Sequence, residues 1–271
     1  MNKIVSKEQL SSCVYKLEIE APIVAKAQKP GNFVILRIKE KGERVPFTIV
    51  ESNPAKGTIS IVIRNMGVTR TKLCNLNVGD EIKDILGPLG RRSEISNKGT
   101  FLACGNGIRI AALLPIARAM KEAGNKVITI ISAKTKDLLI LEDEMREISD
   151  EIHVLTEDGT HGEKGNFTDP MRKVIEKENI DYCMTIGPVD MMRDCAKVTK
   201  EYNIPTRASL YSIMVDGTGM CGACRVSVNG RTKFTCVDGP EFDAHAIDFD
   251  GLLLRIDGYR NEESKKLQHL K

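Results

Sequence analysis

Tryptophan is absent, and aromatic residues make up only 4% of the 271-residue chain. Stacking platforms for single-stranded nucleic acid need exposed rings, so this scarcity argues against one. A surplus of either charge is missing too. The net charge is +3 and no basic run forms a patch, which argues against nucleic-acid or membrane-surface partners. Long apolar runs are lacking: stretches such as 127–131 fall far short of the roughly 20 residues that cross a bilayer. Residues 1–10 are mixed and charged, unlike a secretory leader. The four histidines (His153, His161, His245 and His269) are scattered and read as structural or solvated. No Ser/His/Asp set and no paired-carboxylate site can be assembled. Hydride and electron transfer need no such set, because bound cofactors carry that chemistry.

Cysteine, by contrast, is plentiful, with eight residues in two groups. Cys13, Cys74, Cys104, Cys183 and Cys195 lie mostly among apolar neighbours. They read as buried free thiols in a reducing cytoplasm, not as a disulfide framework. The other three fall in Asp216-Gly-Thr-Gly-Met-Cys221-Gly-Ala-Cys224 and at the lone Cys236. Thiolates are the soft ligands that iron–sulfur clusters require. Gly217, Gly219 and Gly222 let the backbone wrap tightly and aim N–H groups at sulfur. A two-iron cluster takes four ligands, and Asp216 is the best-placed fourth group. The competing readings are a zinc site, a redox dithiol and structural cysteines, with Asp216 as a plain Asp-Gly turn residue. A zinc ribbon lacks its second ligand pair here. A dithiol motif belongs at the start of a helix, whereas this one sits among glycines.

Three regions are expected: 1–97, 98–211 and 212–271. The first reads as all-β, with strands over 15–19, 33–38, 45–50, 58–64 and 81–86, and a helix over 69–76 between the last two. Short strands separated by turn clusters suggest a small barrel. From residue 100 strands and helices alternate. Strands are expected over 101–104, 127–132, 152–156, 182–186 and 206–210, and helices over 110–123, 139–148, 168–177 and 189–202. That alternation predicts a doubly wound parallel sheet, with ligands at the carboxyl ends of its strands. Gly105-Asn-Gly107 and Gly187-Pro188 are the turns at such ends. The region from Ser212 is a small appendage with a strand over 225–228 and a turn at Asn229-Gly230. The charged tail from Asp257 reads as a frayed end or a docking segment.

Three further phrases bear on chemistry. In Arg44-Val-Pro46-Phe47-Thr48-Ile, an Arg fork suits a pyrophosphate and Pro46 fixes the backbone; the plainer reading is an ordinary strand with a solvated Arg. Asn65-Met-Gly67-Val-Thr69-Arg-Thr71 is either a phosphate turn entering a helix or a connecting loop. Gly105-Asn-Gly107-Ile-Arg109 is similar to a dinucleotide turn without its third glycine. Arg109 opens a helix, where the dipole disfavours a cation unless an anion is near; a solvent-facing Arg109 is the alternative. Lys134 could face a 2′-phosphate, although a solvated lysine is the simpler reading.

Taken together, these residues resemble the flavin- and NAD-binding electron-transfer subunits of the ferredoxin reductase-like superfamily. The nearest group is the small subunit of NADH-dependent ferredoxin:NADP oxidoreductases, also described as the sulfide dehydrogenase small subunit. The electron-transfer subunit of dihydroorotate dehydrogenase is a close alternative. Asp216 to Arg225, the run from Cys236, the stretch from Asp137 and the phrase Ile186-Gly-Pro-Val-Asp carry the likeness. The resemblance implies FAD on the barrel at Arg44, Pro46, Phe47, Thr48, Gly67 and Thr69. It implies NAD(H) on the sheet at Gly105, Gly107, Gly187 and Pro188, and a 2Fe–2S cluster on Asp216, Cys221, Cys224 and Cys236. It further implies a heterodimer with a larger flavin and iron–sulfur subunit, with ferredoxin reached through the complex. Cysteine is usual at position 216 in the dihydroorotate branch, so Asp216 favours the other. One departure stands out. The family reads Gly-Gly-Gly-x-Gly-Ile-Ala-Pro where this chain has Asn106, Arg109 and Ala112. Arg109 also leaves open an electron conduit whose nicotinamide site is inactive. Thr69-Arg70-Thr71 departs mildly from the flavin phosphate turn.

Overall fold

The computed structural model describes residues 2–258; His269 and the charged tail beyond Gly258 lie outside the described residues. The first hundred residues build two antiparallel sheets. One comprises β1 (Asn2–Ser11), β2 (Val14–Glu20), β5 (Glu51–Asn53), β6 (Thr58–Arg64) and β7 (Glu81–Ile82), in the order β5-β6-β2-β1-β7. The other comprises β3 (Phe33–Arg37), β4 (Arg44–Thr48) and β8 (Asp84–Leu89), with β3 in the middle. Alternation sets which side chains face inward. Leu17 lies opposite Ile61 and Ile19 opposite Ile59, and these pack with Val34, Leu36 and Phe47 from the second sheet. Two short helices, α1 (Pro22–Ala27) and α2 (Val68–Cys74), contribute Val24 and Leu73 to the same core. The result is the expected barrel-like unit. β1 and α1 are additions to the sequence reading: only Ile4 of β1 is buried, so its pattern carries almost no periodic signal.

The second half forms a parallel sheet from β9 (Thr100–Asn106), β10 (Lys126–Ala133), β11 (Glu151–Thr156), β12 (Glu163–Lys164), β13 (Tyr182–Ile186) and β14 (Thr206–Ser209). Helices α3 (Ile110–Glu122), α4 (Glu142–Ile148), α5 (Thr168–Lys177) and α6 (Val189–Glu201) connect the strands. The order β12-β11-β10-β9-β13-β14 places β9 where the winding reverses. The crevice at the carboxyl ends of β9 and β13 is therefore the topological switch point, the usual ligand position in open sheets. Helix α4 starts three residues later than its apolar pattern suggests. Leu141 has φ +57°, which interrupts the helix, and three acidic residues then fill the first turn, where the dipole favours them.

The C-terminal segment forms a hairpin of β15 (Arg225–Val228) and β16 (Arg231–Phe234). Asn229 and Gly230 both have positive φ in the turn, as a tight two-residue hairpin requires. The segment then returns to the main body. β17 (Glu241–Asp243) pairs antiparallel with β14 as a seventh strand, and α7 (Phe249–Asp257) shares a core with α6 through Leu252, Phe249 and Met192. The barrel and the sheet also share a core: Val14, Val50 and Val62 pack with Ile110, Ala111 and Leu114 of α3. No helix among the described residues is long and apolar enough to cross a membrane.

Candidate functional site

The shared core leaves a cleft between barrel and sheet. One cavity, of about 140 Å³, is lined by Phe47 and Thr48 of β4, Arg64 of β6, Met66, Arg70 of α2, the Ile108-Arg109 turn, and Tyr211 after β14. A smaller hollow of about 30 Å³ adjoins it through Phe47, Thr48, Ala112 and Tyr211, and continues to Phe33, Pro46 and Met214. β4 can deliver these side chains because it is an edge strand. Pro46, opposite Ile35, removes a donor that no further strand would use.

The flavin phrase is thus divided. Pro46, Phe47 and Thr48 line the cleft, whereas Arg44 is exposed, lies opposite Arg37 and lines neither cavity. Gly67 and Thr69 flank cavity-lining Met66 and Arg70. The Thr69 hydroxyl donates to Glu43, the neighbour of Arg44, so the two phrases meet at this edge. Gly67 has φ +83°, and a side chain there would meet nothing within 4 Å, so its backbone is open to a ligand.

The two sheet turns come together. Gly105, next to the end of β9, packs against Leu113 and Ile110, and a Cβ there would press on them at 3.0 and 3.3 Å. Gly107 has φ +56° and open space beside it. A Cβ on Gly187 would lie 3.5 Å from the Cβ of Asn106, so Gly187-Pro188 and Gly105-Asn-Gly107 face each other across the switch point. Asn106 Nδ2 donates to Ser132 Oγ at 2.8 Å, tying the turn to β10.

Arg109 turns inward. Its guanidinium carbon lies 5.2 Å from the ring centroid of Tyr211, a cation–π distance, and burial lowers its pKa from the ordinary arginine value. Arg64, Arg70 and Tyr211 carry no phrase in the sequence that marks them as cavity residues. For Tyr211 the signal was its place just past the carboxyl end of a strand; for Arg70 it was the break in the phosphate turn.

The cysteine loop lies against the barrel. Cys224 and Cys236 are 2% and 1% exposed, their sulfurs are 3.2 Å apart, and they pack with Phe33, Ile35, Leu89, Met214 and Phe234. Cys221 is exposed, and its Sγ lies 3.3 Å from Asp216 Oδ1. The Asp216 carboxylate also accepts from the backbone N–H groups of Thr218, Met220 and Cys221 at 3.0–3.2 Å. Desolvation raises its pKa, but hydrogen bonds from Cys221 and Thr218 outweigh that and hold it at about 2. Burial, with the Cys224 thiol adjoining, pushes Cys236 up to about 12, so a metal would have to displace its proton.

Among the described residues no three ligand-type side chains converge on one point as a single-ion site would require. The four side chains form two pairs instead, Asp216 with Cys221 and Cys224 with Cys236. A two-iron cluster takes two protein ligands per iron, so two adjacent pairs fit it, whereas a tetrahedral zinc would need all four together. Gly217, Gly219 and Gly222, at φ +77°, +86° and +67°, carry the backbone around the pairs, and Cys236 N lies 3.5 Å from Cys224 Sγ. Phe33 and Met214 belong both to this packing and to the cleft wall, so the two sites share side chains.

Comparisons with known proteins agree with this layout. Residues 212–248 match the iron–sulfur cluster binding domain of dihydroorotate dehydrogenase B. A Thermotoga maritima protein described as a dihydroorotate dehydrogenase B (NAD(+)) electron transfer subunit homolog is 46% identical over 97% of this chain and 93% of its own. The corresponding electron transfer subunit of Fusobacterium nucleatum is 31% identical over 89% and 95%. A solved structure of the NADH-dependent reduced ferredoxin-NADP oxidoreductase, an example of flavin-based electron bifurcation, superposes with a TM-score of 0.94. It is 45% identical and covers 100% of this chain and 98% of that one. Phthalate dioxygenase reductase, 15% identical with a TM-score of 0.61 over 92% and 97%, shares the fold. The chain belongs to the family of dihydroorotate dehydrogenase B electron transfer subunits, proteins of the flavin and iron–sulfur oxidoreductase type.

Proposed function

We propose that this protein is the small subunit of a cytoplasmic, bifurcating ferredoxin:NADP oxidoreductase-type complex, passing electrons between NAD(H), FAD and a 2Fe–2S cluster to a larger partner subunit. The barrel, residues 1–97, holds FAD; the sheet, residues 98–211, holds NAD(H); residues 212–271 hold the cluster. A flavin accepts a hydride pair and releases single electrons, which a nicotinamide does not do readily. On this reading Pro46, Phe47 and Thr48 give the flavin ring an apolar bed and a hydroxyl, and Arg44, Gly67 and Thr69 serve its phosphates at the barrel edge. Gly105 and Gly107 admit the nicotinamide dinucleotide close to the backbone, and Gly187 and Pro188 bound the switch-point crevice from the β13 side. Asp216 and Cys221 take one iron, Cys224 and Cys236 the other.

The observation that carries this reading is the continuity of cleft and loop. Phe33 and Met214 wall the cleft on one side and pack with Cys224 and Cys236 on the other. That packing places apolar side chains between the two sites. The acid at 216 supports the ferredoxin:NADP branch, while the names of the relatives keep the dihydroorotate branch as the second reading. The test is the visible spectrum of protein purified anaerobically with its partner, before and after NADH. Flavin bleaching together with iron and acid-labile sulfide is expected. Absent iron would defeat the cluster, and an unbleached flavin would leave the conduit reading in place of the hydride step.

A further inference from the structure

Three arginines line the 140 Å³ cavity, Arg64, Arg70 and Arg109, and no acidic residue lines it. None of the three makes a side-chain hydrogen bond or an ion pair among the described residues. Arg109 is half-buried, and the field of Arg70 acts on it unfavourably, so the two charges are close enough to repel. The field of Asp190 reaches Arg109, but the pair forms no salt bridge. A partly desolvated guanidinium facing a like charge is unfavourable unless an anion joins it. Arg70 stands on the barrel and Arg109 on the sheet, so that anion would also tie the two units together.

Resting on the function proposed above, we infer that Arg70 and Arg109, backed by Arg64, clamp the diphosphate of a dinucleotide between the two domains, with Tyr211 holding the Arg109 fork in place. A diphosphate ester brings two negative charges on adjacent groups, which suits guanidinium forks offered from separate elements. The apolar walls, Phe47 on one side and Ala111 and Ala112 on the other, suit the ring-bearing ends of such a molecule better than a free inorganic ion. Arg109 then supplies by charge what the missing glycine would have supplied by close backbone approach.

The test compares wild type, Arg109→Ala, Arg109→Lys, Arg70→Ala and, as a control outside the cavity, Arg92→Ala, each as the flavin- and iron-loaded protein. Calorimetric titration with ADP-ribose reads binding of a nicotinamide-type diphosphate, and flavin retained on dialysis reads the flavin diphosphate. Far-UV dichroism and iron content report folding. Loss of a charge-assisted contact should weaken one of the two ligands about 10- to 100-fold in both Ala variants, with Lys in between and the control unchanged. Which ligand weakens identifies whose diphosphate is held. The clamp is overturned if both affinities in folded Arg109→Ala stay within about twofold of wild type, or if Arg92→Ala weakens them equally. Normal ADP-ribose binding and flavin retention with an indifferent Arg109→Ala would sink the clamp alone. A wild type that binds neither ADP-ribose nor flavin would sink the functional reading with it.

Discussion

Replacing Gly217 with alanine tests how the cysteine loop is held. Gly217 has φ +77°, a conformation that costs an L-residue about 1–2 kcal/mol. It also presses on the barrel: a Cβ there would sit 2.5 Å from Ile35 Cδ1 and 2.8 Å from Leu89 Cδ1. Ile35 is buried and Leu89 is half-buried beside it, and overpacking against them costs about 1–3 kcal/mol. Gly217→Ala should therefore destabilise by about 2–5 kcal/mol. Gly230→Ala is the matched control, because φ is +70° and nothing lies within 4 Å, so only the backbone cost of about 1–2 kcal/mol remains. Denaturant titrations of both variants, followed by far-UV dichroism and by iron release, measure the difference. Ile35→Val removes the nearest clashing atom, so the double variant should recover part of the loss, and a double-mutant cycle should show the coupling. Equal destabilisation by Gly217→Ala and Gly230→Ala, with no coupling to Ile35, would show that the loop does not rest on β3 as described.

Two more outcomes follow from the same contacts. Asp216→Ala should lower iron content and change the paramagnetic signal, while Asp216→Cys should retain iron with a shifted signal; an unaltered signal in Asp216→Ala would remove the acid from the ligand set. Glu241 is 7% exposed, accepts from Ser93, and has its pKa raised chiefly by burial. A carboxyl whose folded pKa lies above its unfolded one contributes stability below the unfolded value and loses it as pH rises through the folded value. Glu241→Gln should thus raise Tm near pH 8 and lose that advantage towards about pH 4, and a Tm difference that is flat over this range would contradict the reasoning.

Legibility in the sequence followed burial. Helix α5 and strand β13 have the bounds that the apolar pattern predicts, because each is anchored in a core by long runs of large residues such as Met171, Val174 and Ile175. β17 was not foreseen: a three-residue Glu-Phe-Asp strand has no periodicity, and only the open edge of β14 recruits it. The cysteine spacing pointed to a metal-type loop, but the two-by-two pairing of its ligands depends on how glycine turns fold the loop back on β3, which spacing does not encode.

The cleft shows a different limit. Phe47 and Thr48 are readable as a phrase, yet Arg64 and Arg70 of the barrel meet Tyr211 of the second unit only where the two units pack together. Arg109 was ambiguous for a physical reason. A cation opening a helix is unfavourable in isolation, and whether it faces solvent or a ligand depends on groups more than thirty residues away in either direction. The structure puts it beside Tyr211 and within the field of Arg70, and gives it no salt-bridge partner among the described residues. Positions that break a family phrase are where local rules and the fold disagree, and such disagreements concentrate at functional sites. Arg70 and Arg109 are two such breaks in one cavity, so the unpaired guanidinium groups there read as half of an interaction whose other half is an anionic ligand.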